Sequence, residues 1–444
     1  MVKHLIILDI VGLESNHLSS NVIPNIANIA NEGEAFKMEP VFPAVTCTVQ
    51  ASLLSGQYPN KHGIISNGLY DKTNYTISFW EQSSSLVQAD RIWDIAKRRK
   101  SPSLKTAVLF GQNTMYCKSD VVITPRPLHM EDGMIMWCYS KPLGYYEALK
   151  QKYGEFNLAT YWGPLASYKS SNWIVQATCD TLEYERPNIM FTYIPHLDYS
   201  VQRFGKNSTQ VREDLIRADD LVGQVIQKTI DLGIKDDTRF VIFSEYGFND
   251  VQSNIPLNQK LREAGLLSVR TINDREYIDF ELSKAFAMVD HQIAHVYINE
   301  GPTEQIKRVL ENIAGIERVL SIEGKEALHI NHQRSGDLIA LADKDSWFTY
   351  YWWNDNTKAP NFAKTVDIHR KPGYDPAELF FDPDANSIPL NGERIRASHG
   401  RPADKITEEG LALYISNQKS AISDNSKEIV SCIDVGKSLI NLAS

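Results

Sequence analysis

Uninterrupted apolar runs alternate along this chain with segments of helical periodicity. The apolar runs cover residues 4–11, 106–110, 189–194 and 239–243, and the helical segments include 24–34 and 211–232. Strands without polar alternation are buried on both faces, which is typical of a parallel sheet covered by helices. The pattern predicts an α/β fold with a mostly parallel central sheet and helices on both faces. In such folds the functional groups lie at the carboxyl ends of the strands.

The pattern of apolar and aromatic residues is different between residues 256 and 390. Shorter apolar runs in AFAMVDHQIAHVYI and GDLIALAD, together with the aromatic stretch SWFTYYWWNDN, predict a smaller α+β lobe inserted into the main fold. The predicted organisation is an α/β core over 1–255, the lobe over 256–390 and a return to the core over 391–444. We interpret the adjacent aromatic residues 350–353 mainly as core, with the lining of a pocket as the alternative.

Composition and charge narrow the class of partner. The 444 residues are 43% hydrophobic and 23% charged, and the formal net charge is -9 without a long Lys/Arg run. These values predict a globular chain with no electrostatic footprint for nucleic-acid backbones or anionic membrane surfaces. We therefore predict no nucleic-acid partner and no membrane partner, and we expect a small-molecule ligand.

The cysteines and the first apolar run indicate the compartment. Five cysteines, an odd number, are widely separated and lack C-x-x-C spacing, so we interpret them as reduced thiols. The run HLIILDIVGL contains Asp9 in its middle, which indicates a buried strand rather than a secretion signal. Together these features predict a cytoplasmic protein.

Thr46 stands where a helix over residues 46–54 is predicted to begin, after the proline turn in VFPAVTCTVQ. Threonine is a middling helix former but a good N-cap, so capping is one interpretation. The free N–H groups at a helix start also bind anions, and a hydroxyl aimed there could attack a phosphorus atom. On this feature alone capping is favoured, and a nucleophile is the alternative.

Several segments occur in the order known from one enzyme family. They are PNIANIANEG, FPAVTCTVQASLLSGQYPNKHGI, NGLYD, PHLDYSVQRFG, VIFSEYGF, GDLIALAD and SHGR. Through them the chain resembles the alkaline phosphatase superfamily, in the branch of type I phosphodiesterases and nucleotide pyrophosphatases. The resemblance implies an alkaline phosphatase-like fold, with Thr46 as the nucleophile and Asn67 in contact with the phosphoryl oxygens.

The resemblance also implies a metal site, because that family holds two zinc ions through Asp and His side chains. Asp198 and His399 stand unchanged at two of the ligand positions. The other ligand positions carry different residues, namely Val11, Gln202, Glu245 and Tyr246. Glu245 keeps a carboxylate. Asp9, two residues before Val11, lies on the same face of its strand.

The substituted ligand positions favour a metal other than the family's pair of zinc ions. Oxygen ligands with one or two histidines suit manganese or magnesium better than a pair of zinc ions. We predict a divalent metal cofactor, either zinc, manganese or magnesium, bound as one or two ions. The predicted metal ligands are Asp9, Asp198, Glu245 and His399, and Gln202 and Tyr246 are candidates for further substrate or metal contacts.

Three more histidines are candidates either for metal or substrate contact or for a structural role. His196 lies two residues before Asp198 and could share its face, with a hydrogen-bonded structural histidine as an equal alternative. His291 and His295 are four residues apart and would share one face of a helix, as metal ligands do. The residues around them indicate a strand, so structural histidines are favoured there, with substrate or metal contact by His291 as the alternative.

The turn VDIHRKPGYDP brings together His369, Arg370, Lys371 and Asp375. A solvated turn is the favoured interpretation, because Arg and Lys are usually surface residues. The alternative is that His369 and Lys371 clamp a phosphate or another part of a substrate.

Together these features predict a hydrolase of phosphodiester or pyrophosphate bonds in a nucleotide or a phosphorylated metabolite. In this hypothesis Thr46 attacks, Asn67 and the helix start stabilise the phosphoryl oxygens, and the metal neutralises charge. A phosphomonoesterase or phosphotransferase on the same scaffold is the nearer alternative. A catalytically inactive phosphoester-binding protein is the other alternative, because several ligand positions are substituted.

Overall fold

The computed structural model describes residues 3–19, 21–131, 133–420, 422 and 428–443. Its largest sheet has nine strands in the order β9-β2-β8-β7-β1-β6-β3-β4-β5 when they are numbered along the chain. The strands are β1 His4–Ile10, β2 Glu34–Glu39, β3 Thr106–Leu109, β4 Val121–Pro125, β5 Cys138–Lys141, β6 Ile189–Ile194, β7 Thr238–Phe243, β8 Ala412–Ser416 and β9 Ile429–Ser431.

Five neighbouring strands in the middle of this sheet, β7, β1, β6, β3 and β4, run parallel to one another. Strands β8 and β5, on either side of them, are antiparallel to their inner neighbours. The mostly parallel sheet predicted from the apolar runs is therefore confirmed. Because β1, β6 and β7 end at the same edge, the segments that follow Ile10, Ile194 and Phe243 meet there.

Helices cover both faces of the sheet, as predicted. Helix Thr46–Ser55 contacts the closing helix Cys432–Ala443, whereas Thr209–Asp231 contacts Tyr168–Tyr184 and His196–Phe204. The remaining core helices are Pro24–Glu32, Pro59–His62, Ile92–Arg99, Tyr145–Tyr153 and Leu158–Tyr161. The helix predicted over 24–34 ends earlier, because Glu34 already begins β2.

The closing helix lies directly against helix Thr46–Ser55 at Gly436. A Cβ atom on Gly436 would lie 2.8 Å from the carbonyl oxygen of Leu53 and 3.0 Å from that of Ser52. Both oxygens belong to the backbone of a packed helix, which cannot swing aside as the end of a side chain can. The close approach of the two helices therefore requires glycine at this position.

We expect Gly436→Ala to lower the free energy of unfolding by about 1–2 kcal/mol. Overpacking against two backbone carbonyls outweighs the gain in helix propensity. Urea denaturation measures the loss. Asn441→Ala, on the exposed side of the same helix, is the matched control and should change stability by less than about 0.5 kcal/mol. Equal stability of Gly436→Ala and the parent protein would contradict a tight helix contact.

A second hydrophobic cluster is centred on a four-stranded antiparallel sheet. Its strands, in order across the sheet, are Ala285–Asp290, Ile293–Ile298, Leu338–Ala342 and Ile316–Leu320. Helices Leu257–Glu263, Thr303–Glu311 and Ile322–Ala327 accompany it. The smaller α+β lobe is thus confirmed, while its exact boundaries at 256 and 390 stay a prediction.

The remaining strands form two-stranded pairs. They are Gly68–Asp71 with Thr76–Phe79, Leu128–Met130 with Gly133–Ile135, Asn249–Asp250 with Ala397–Ser398, Ser253–Pro256 with Ser346–Thr349, and Val269–Ile272 with Arg275–Ile278. The aromatic residues 350–353 are buried in the second cluster and contact one another. They are core residues, as the sequence favoured, rather than the lining of a pocket.

The five cysteines are free thiols, as predicted. Burial raises the pKa of the Cys47 and Cys138 thiols well above the usual value, so these thiols stay protonated. Within the described ranges, no helix combines the length and the apolar character needed to cross a membrane.

Candidate active site

Thr46 is the first residue of helix Thr46–Ser55 and is buried. The N-cap position belongs to Val45, and no side chain caps the helix from there. The Thr46 hydroxyl instead makes a hydrogen bond of 3.0 Å with the hydroxyl of Tyr246, which follows β7. The capping interpretation is therefore wrong, because the hydroxyl is turned toward a cluster of polar side chains rather than toward its own backbone.

Asn67 holds the start of the same helix. Its Oδ1 accepts a hydrogen bond of 2.9 Å from the backbone N–H of Cys47, the residue after Thr46. Its Nδ2 donates to Asp290 Oδ1 over 3.2 Å, and its backbone N–H donates to Asp290 Oδ2 over 2.8 Å. The structure thus brings Asn67 and Thr46 together, and the Asn67 side chain supplies the cap that Thr46 does not.

Asp290 is a buried carboxylate of the lobe that sequence reasoning missed. It ends strand Ala285–Asp290 and is 0% exposed. Beyond the two bonds from Asn67, it accepts one from the Ser66 hydroxyl over 2.7 Å, and His291 Nδ1 lies 2.7 Å from its Oδ1. Its place beside a histidine was the available signal, because carboxylates often orient functional imidazoles. Asp290 therefore fixes the lobe to the start of the Thr46 helix.

Asp198 lies in the first turn of helix His196–Phe204, which follows β6. Gln202 Nε2 donates to Asp198 Oδ2 over 2.7 Å, and the Tyr374 hydroxyl donates to Gln202 Oε1 over 2.8 Å. Tyr246 makes a long hydrogen bond of 3.5 Å to Asp198 Oδ1. Burial raises the pKa of Asp198 to about 8, although the Gln202 and Tyr246 hydrogen bonds oppose the shift. Tyr246 thus connects the Thr46 hydroxyl with a buried carboxyl group.

Asp9 and Glu245 are two neighbouring buried carboxyl groups at the ends of β1 and β7. Gln50 Nε2 donates to Asp9 Oδ2 over 3.0 Å and to Glu245 Oε1 over 2.8 Å. Burial, reinforced for Asp9 by the Glu245 charge, raises the pKa of Asp9 well above its usual value, and burial raises that of Glu245 to about 7. Gln50 was missed, but it stands four residues after Thr46. Residues at this spacing share one helix face, so the sequence carried the signal.

His399 and His291 lie in a row of four closely packed rings, in which the outer two contacts are stacked and the central one is tilted. The ring centres are 3.6 Å apart between Tyr246 and His399, 3.8 Å between His399 and His291, and 3.7 Å between His291 and Tyr374. His399 Nδ1 donates to the Ala44 carbonyl over 2.7 Å. The Nε2 atoms of both histidines are buried without a hydrogen-bond partner in the described part of the chain. Burial lowers the pKa of both imidazoles, which favours the neutral rings, and in these Nε2 is an acceptor without a partner.

The two histidines of DHQIAH therefore differ in role. His295 lies on strand Ile293–Ile298, where its Nε2 contacts the Ile65 carbonyl over 3.0 Å and its Nδ1 accepts from the Gly336 N–H over 3.2 Å. This confirms a structural histidine. His291 stands in the two-residue turn before that strand, with a φ of 58°, a left-handed conformation that is uncommon for residues with a side chain. The turn directs its ring between those of Tyr374 and His399, and substrate or metal contact by His291 stays a prediction.

Two further histidine candidates are engaged elsewhere. His196 Nδ1 lies 2.9 Å from the Ser171 hydroxyl, and its Nε2 lies 3.2 Å from the Asp214 carbonyl oxygen. Because both ring nitrogens have partners, we correct His196 to a structural histidine. His369 is half-buried, with its Nδ1 3.2 Å from the Phe79 carbonyl oxygen. That contact joins the turn at His369 to strand Thr76–Phe79.

Lys371 is neither a solvated residue nor a substrate clamp. Its side chain is 1% exposed, and its ammonium lies 2.7 Å from Asp375 Oδ2 and 2.6 Å from Glu378 Oε1. Arg370 pairs with Asp367 at the surface. Both predictions for Lys371 are therefore corrected, because the carboxylates of its own segment neutralise its charge inside the protein.

The sheet, the placement of Thr46 and the order of the segments match a known family. The family model described as type I phosphodiesterase / nucleotide pyrophosphatase matches residues 5–375. The chain belongs to this family. Membership in the type I phosphodiesterase / nucleotide pyrophosphatase family confirms the resemblance seen in the sequence and the alkaline phosphatase-like fold.

Curated members of this family match part of their own length. Bis(5'-adenosyl)-triphosphatase of Mus musculus is 25% identical over 260 residues, which are 56% of this chain and 48% of that protein. Ectonucleotide pyrophosphatase/phosphodiesterase family member 1 of Rattus norvegicus is 26% identical over 246 residues, which are 54% of this chain and 23% of that protein. The matched region therefore spans half or less of these relatives.

Two solved structures share the fold over nearly the whole chain. Phosphonoacetate hydrolase from Sinorhizobium meliloti, in complex with phosphonoformate, has a TM-score of 0.64 at 14% identity and covers 100% of this chain and 96% of its own. Inactive murine ectonucleotide pyrophosphatase / phosphodiesterase 5, in complex with AMP, has a TM-score of 0.62 at 14% identity. The match covers 99% of this chain and 95% of that one. At these identities the likeness establishes the fold alone.

The family generally depends on divalent metal ions, and the side chains found here do not fit its pair of ions. Across the described ranges, no three or more His, Cys, Asp or Glu side chains are arranged to hold a metal ion. The predicted ligands Asp9, Asp198, Glu245 and His399 therefore do not form one ligand set. Gln202 and Tyr246, at two of the substituted positions, donate hydrogen bonds to Asp198 instead.

Proposed function

We propose that this chain hydrolyses a phosphodiester or pyrophosphate bond in a nucleotide or phosphorylated metabolite, with Thr46 as the nucleophile. The observation that carries the proposal is the position of the Thr46 hydroxyl, which stands at a helix start but is released from capping by Asn67. The helix dipole at this end favours a negatively charged phosphoryl group. Family membership supports the reaction class.

In the proposed reaction, Thr46 Oγ1 bonds to phosphorus while the bond to the leaving group breaks, and water then releases the phosphoryl group from Thr46. The Tyr246 hydroxyl contacts both Thr46 Oγ1 and the Asp198 carboxyl group, so it links the attacking hydroxyl to a group that accepts a proton when it is ionised, above its raised pKa of about 8. The free Nε2 atoms of His291 and His399 are acceptors for a water or for a substrate hydroxyl.

The charges around the site favour a diester or pyrophosphate over a monoester. A terminal phosphate carries an additional negative charge, which proteins usually bind with Arg or Lys. The basic side chains that the sequence offered for this role are already paired, Lys371 with Asp375 and Glu378, and Arg370 with Asp367. We therefore propose a small-molecule phosphodiester or pyrophosphate as the partner. We also propose a cytoplasmic location, which the five free thiols support.

We expect kcat/KM for an aryl phosphodiester to exceed that for the matched aryl phosphomonoester by about tenfold or more, which corresponds to roughly 1.4 kcal/mol in transition-state binding. A nucleotide-sugar pyrophosphate serves as the third substrate. Steady-state kinetics on the three compounds measure the preference. A preference of the same size for the monoester would support the phosphomonoesterase alternative and overturn the proposed substrate class.

A phosphoester-binding protein without turnover is the second candidate. The observation that favours it is the hydrogen-bonded state of Asp198, which Gln202 and Tyr246 engage at positions where the family has metal ligands. In that case all three substrates remain intact, while a non-hydrolysable diester raises the melting temperature of the protein. Turnover of any of the three substrates by the purified chain, lost in Thr46→Ala, would exclude this candidate.

A further inference from the structure

The Tyr246 hydroxyl occupies the space between the proposed nucleophile and Asp198. It lies 3.0 Å from Thr46 Oγ1 and 3.5 Å from Asp198 Oδ1. Its ring is fixed by stacking on His399 at 3.6 Å with an interplanar angle of 11°, and His399 is fixed in turn by the Ala44 carbonyl. A metal ion bound to the same two oxygens needs bonds of about 2.0–2.2 Å to each, in the space that this hydroxyl fills.

The amide of Gln202 is oriented so that it cannot act as a ligand beside Asp198. The Tyr374 hydroxyl donates to Gln202 Oε1, so the oxygen is already engaged. The amide nitrogen therefore faces Asp198, to which it donates over 2.7 Å. An amide nitrogen has no lone pair available for a metal, because that pair is delocalised into the carbonyl group.

A second amide fills the corresponding place between Asp9 and Glu245. Gln50 Oε1 accepts a hydrogen bond of 2.7 Å from the backbone N–H of Gln112, which fixes the orientation of the amide. Its Nε2 then donates to both carboxyl groups. Val11, at the remaining ligand position, presents a buried alkyl side chain. One neutral amide thus takes the bridging place between two carboxyl groups.

The acceptors left without partners do not rebuild a metal site. Within the described ranges these site atoms are Asp9 Oδ1, Glu245 Oε2, His291 Nε2 and His399 Nε2. His399 Nε2 lies 4.0 Å from Asp198 Oδ1, and no arrangement of three His, Cys, Asp or Glu side chains in this part of the chain fits an ion. These atoms therefore do not form one set of metal ligands in the described part of the chain.

From these contacts we propose that this chain has given up the metal pair of its family, and that the Tyr246 hydroxyl and the Gln202 and Gln50 amides hold the site together in place of the ions. Neutral hydrogen-bond donors contact the carboxyl groups where cations would otherwise lie. The proposal rests on the arrangement of these donors and does not depend on turnover, so a failure of the proposed hydrolysis leaves it unaffected.

The metal content of the purified chain tests this proposal. Protein incubated with zinc, manganese or magnesium chloride and then desalted should retain less than about one tenth of an ion per chain. Inductively coupled plasma mass spectrometry and native mass spectrometry measure the ratio without any substrate. One or two ions per chain, retained in stoichiometric amount, would overturn the proposal.

A restored ligand provides the matched comparison. Gln202→His places an imidazole beside Asp198 and near His399, and three such donors are enough for one ion. We expect this variant to retain up to one zinc ion per chain and to gain a zinc-dependent rise in melting temperature. Gln202→Leu, which supplies no ligand, should gain neither.

The full set of replacements extends the comparison. Val11→Asp, Gln202→His, Glu245→Asp and Tyr246→His together restore the family's ligand types and should bring the retained zinc toward two ions per chain. Circular dichroism establishes that each variant is folded, and if the fourfold variant is unfolded the single Gln202→His variant carries the test. If the folded variants bind no zinc, the residues at these four positions do not account for the loss of metal binding.

Discussion

Replacing Thr46 with alanine should lower kcat on a phosphodiester substrate by about 10³-fold or more, because the group that forms the covalent intermediate is removed. The fold should survive the change. Val45 holds the N-cap position and Asn67 bonds the first turn, so the variant keeps its helix start and loses the side-chain hydrogen bonds of Thr46 to Tyr246 and Glu245, each worth about 1 kcal/mol. Single-turnover kinetics and urea denaturation measure the two effects separately.

Two variants in the same helical turn test whether the loss of activity is due to the Thr46 hydroxyl itself. Thr46→Ser keeps a hydroxyl at the same atom and should retain part of the activity. Thr48→Ala removes a buried hydroxyl that has no hydrogen-bond partner in the described structure, and kcat should stay close to that of the parent. If Thr46→Ala hydrolysed the diester at the parental rate, Thr46 would not be the nucleophile.

Lys371→Ala should lower the free energy of unfolding by about 3–5 kcal/mol, because it leaves two buried carboxylates without their cation. Burial alone would lower the pKa of Lys371, but the charges of Asp375 and Glu378 raise it, so the ammonium is protonated in the folded protein. Chemical denaturation at neutral pH measures the loss.

Arg370→Ala is the matched control for this prediction. Arg370 is adjacent in sequence and pairs with Asp367, but its side chain is 68% exposed. Exposed ion pairs contribute about 0–1 kcal/mol, so this variant should remain near the stability of the parent. Similar small losses for Arg370→Ala and Lys371→Ala would show that the buried ion cluster is not a major source of stability.

The parts of this protein that sequence could predict are those encoded by local patterns. Strands β1, β6 and β7 follow from continuous apolar runs, and Thr46, Asn67, Asp198 and His399 follow from motifs in a fixed order. Their catalytic or ligand roles stay predictions. The mutual placement of Thr46 and Asn67, which are 21 residues apart, could be anticipated because both belong to one continuous motif.

The parts that sequence could not predict depend on contacts between distant segments. Asp290 reaches Asn67 from the lobe, and Tyr374 reaches Gln202 across 172 residues. Nothing in the local pattern around either residue encodes such a contact. Lys371 is a further example. Lysine is usually a surface residue, and only the fold shows that the carboxylates of Asp375 and Glu378 are buried beside it.

The row of rings from Tyr246 to Tyr374 has a consequence for how the protein is made. Tyr246 belongs to the hydrophobic cluster of the main sheet, whereas Tyr374 belongs to that of the lobe, and His399 follows both in the chain. During synthesis, Thr46 leaves the ribosome long before His399 does. Contacts between such distant segments slow folding, since the intervening chain must first be ordered. A nascent chain therefore cannot assemble the complete row of rings until the segment that carries His399 has left the ribosome.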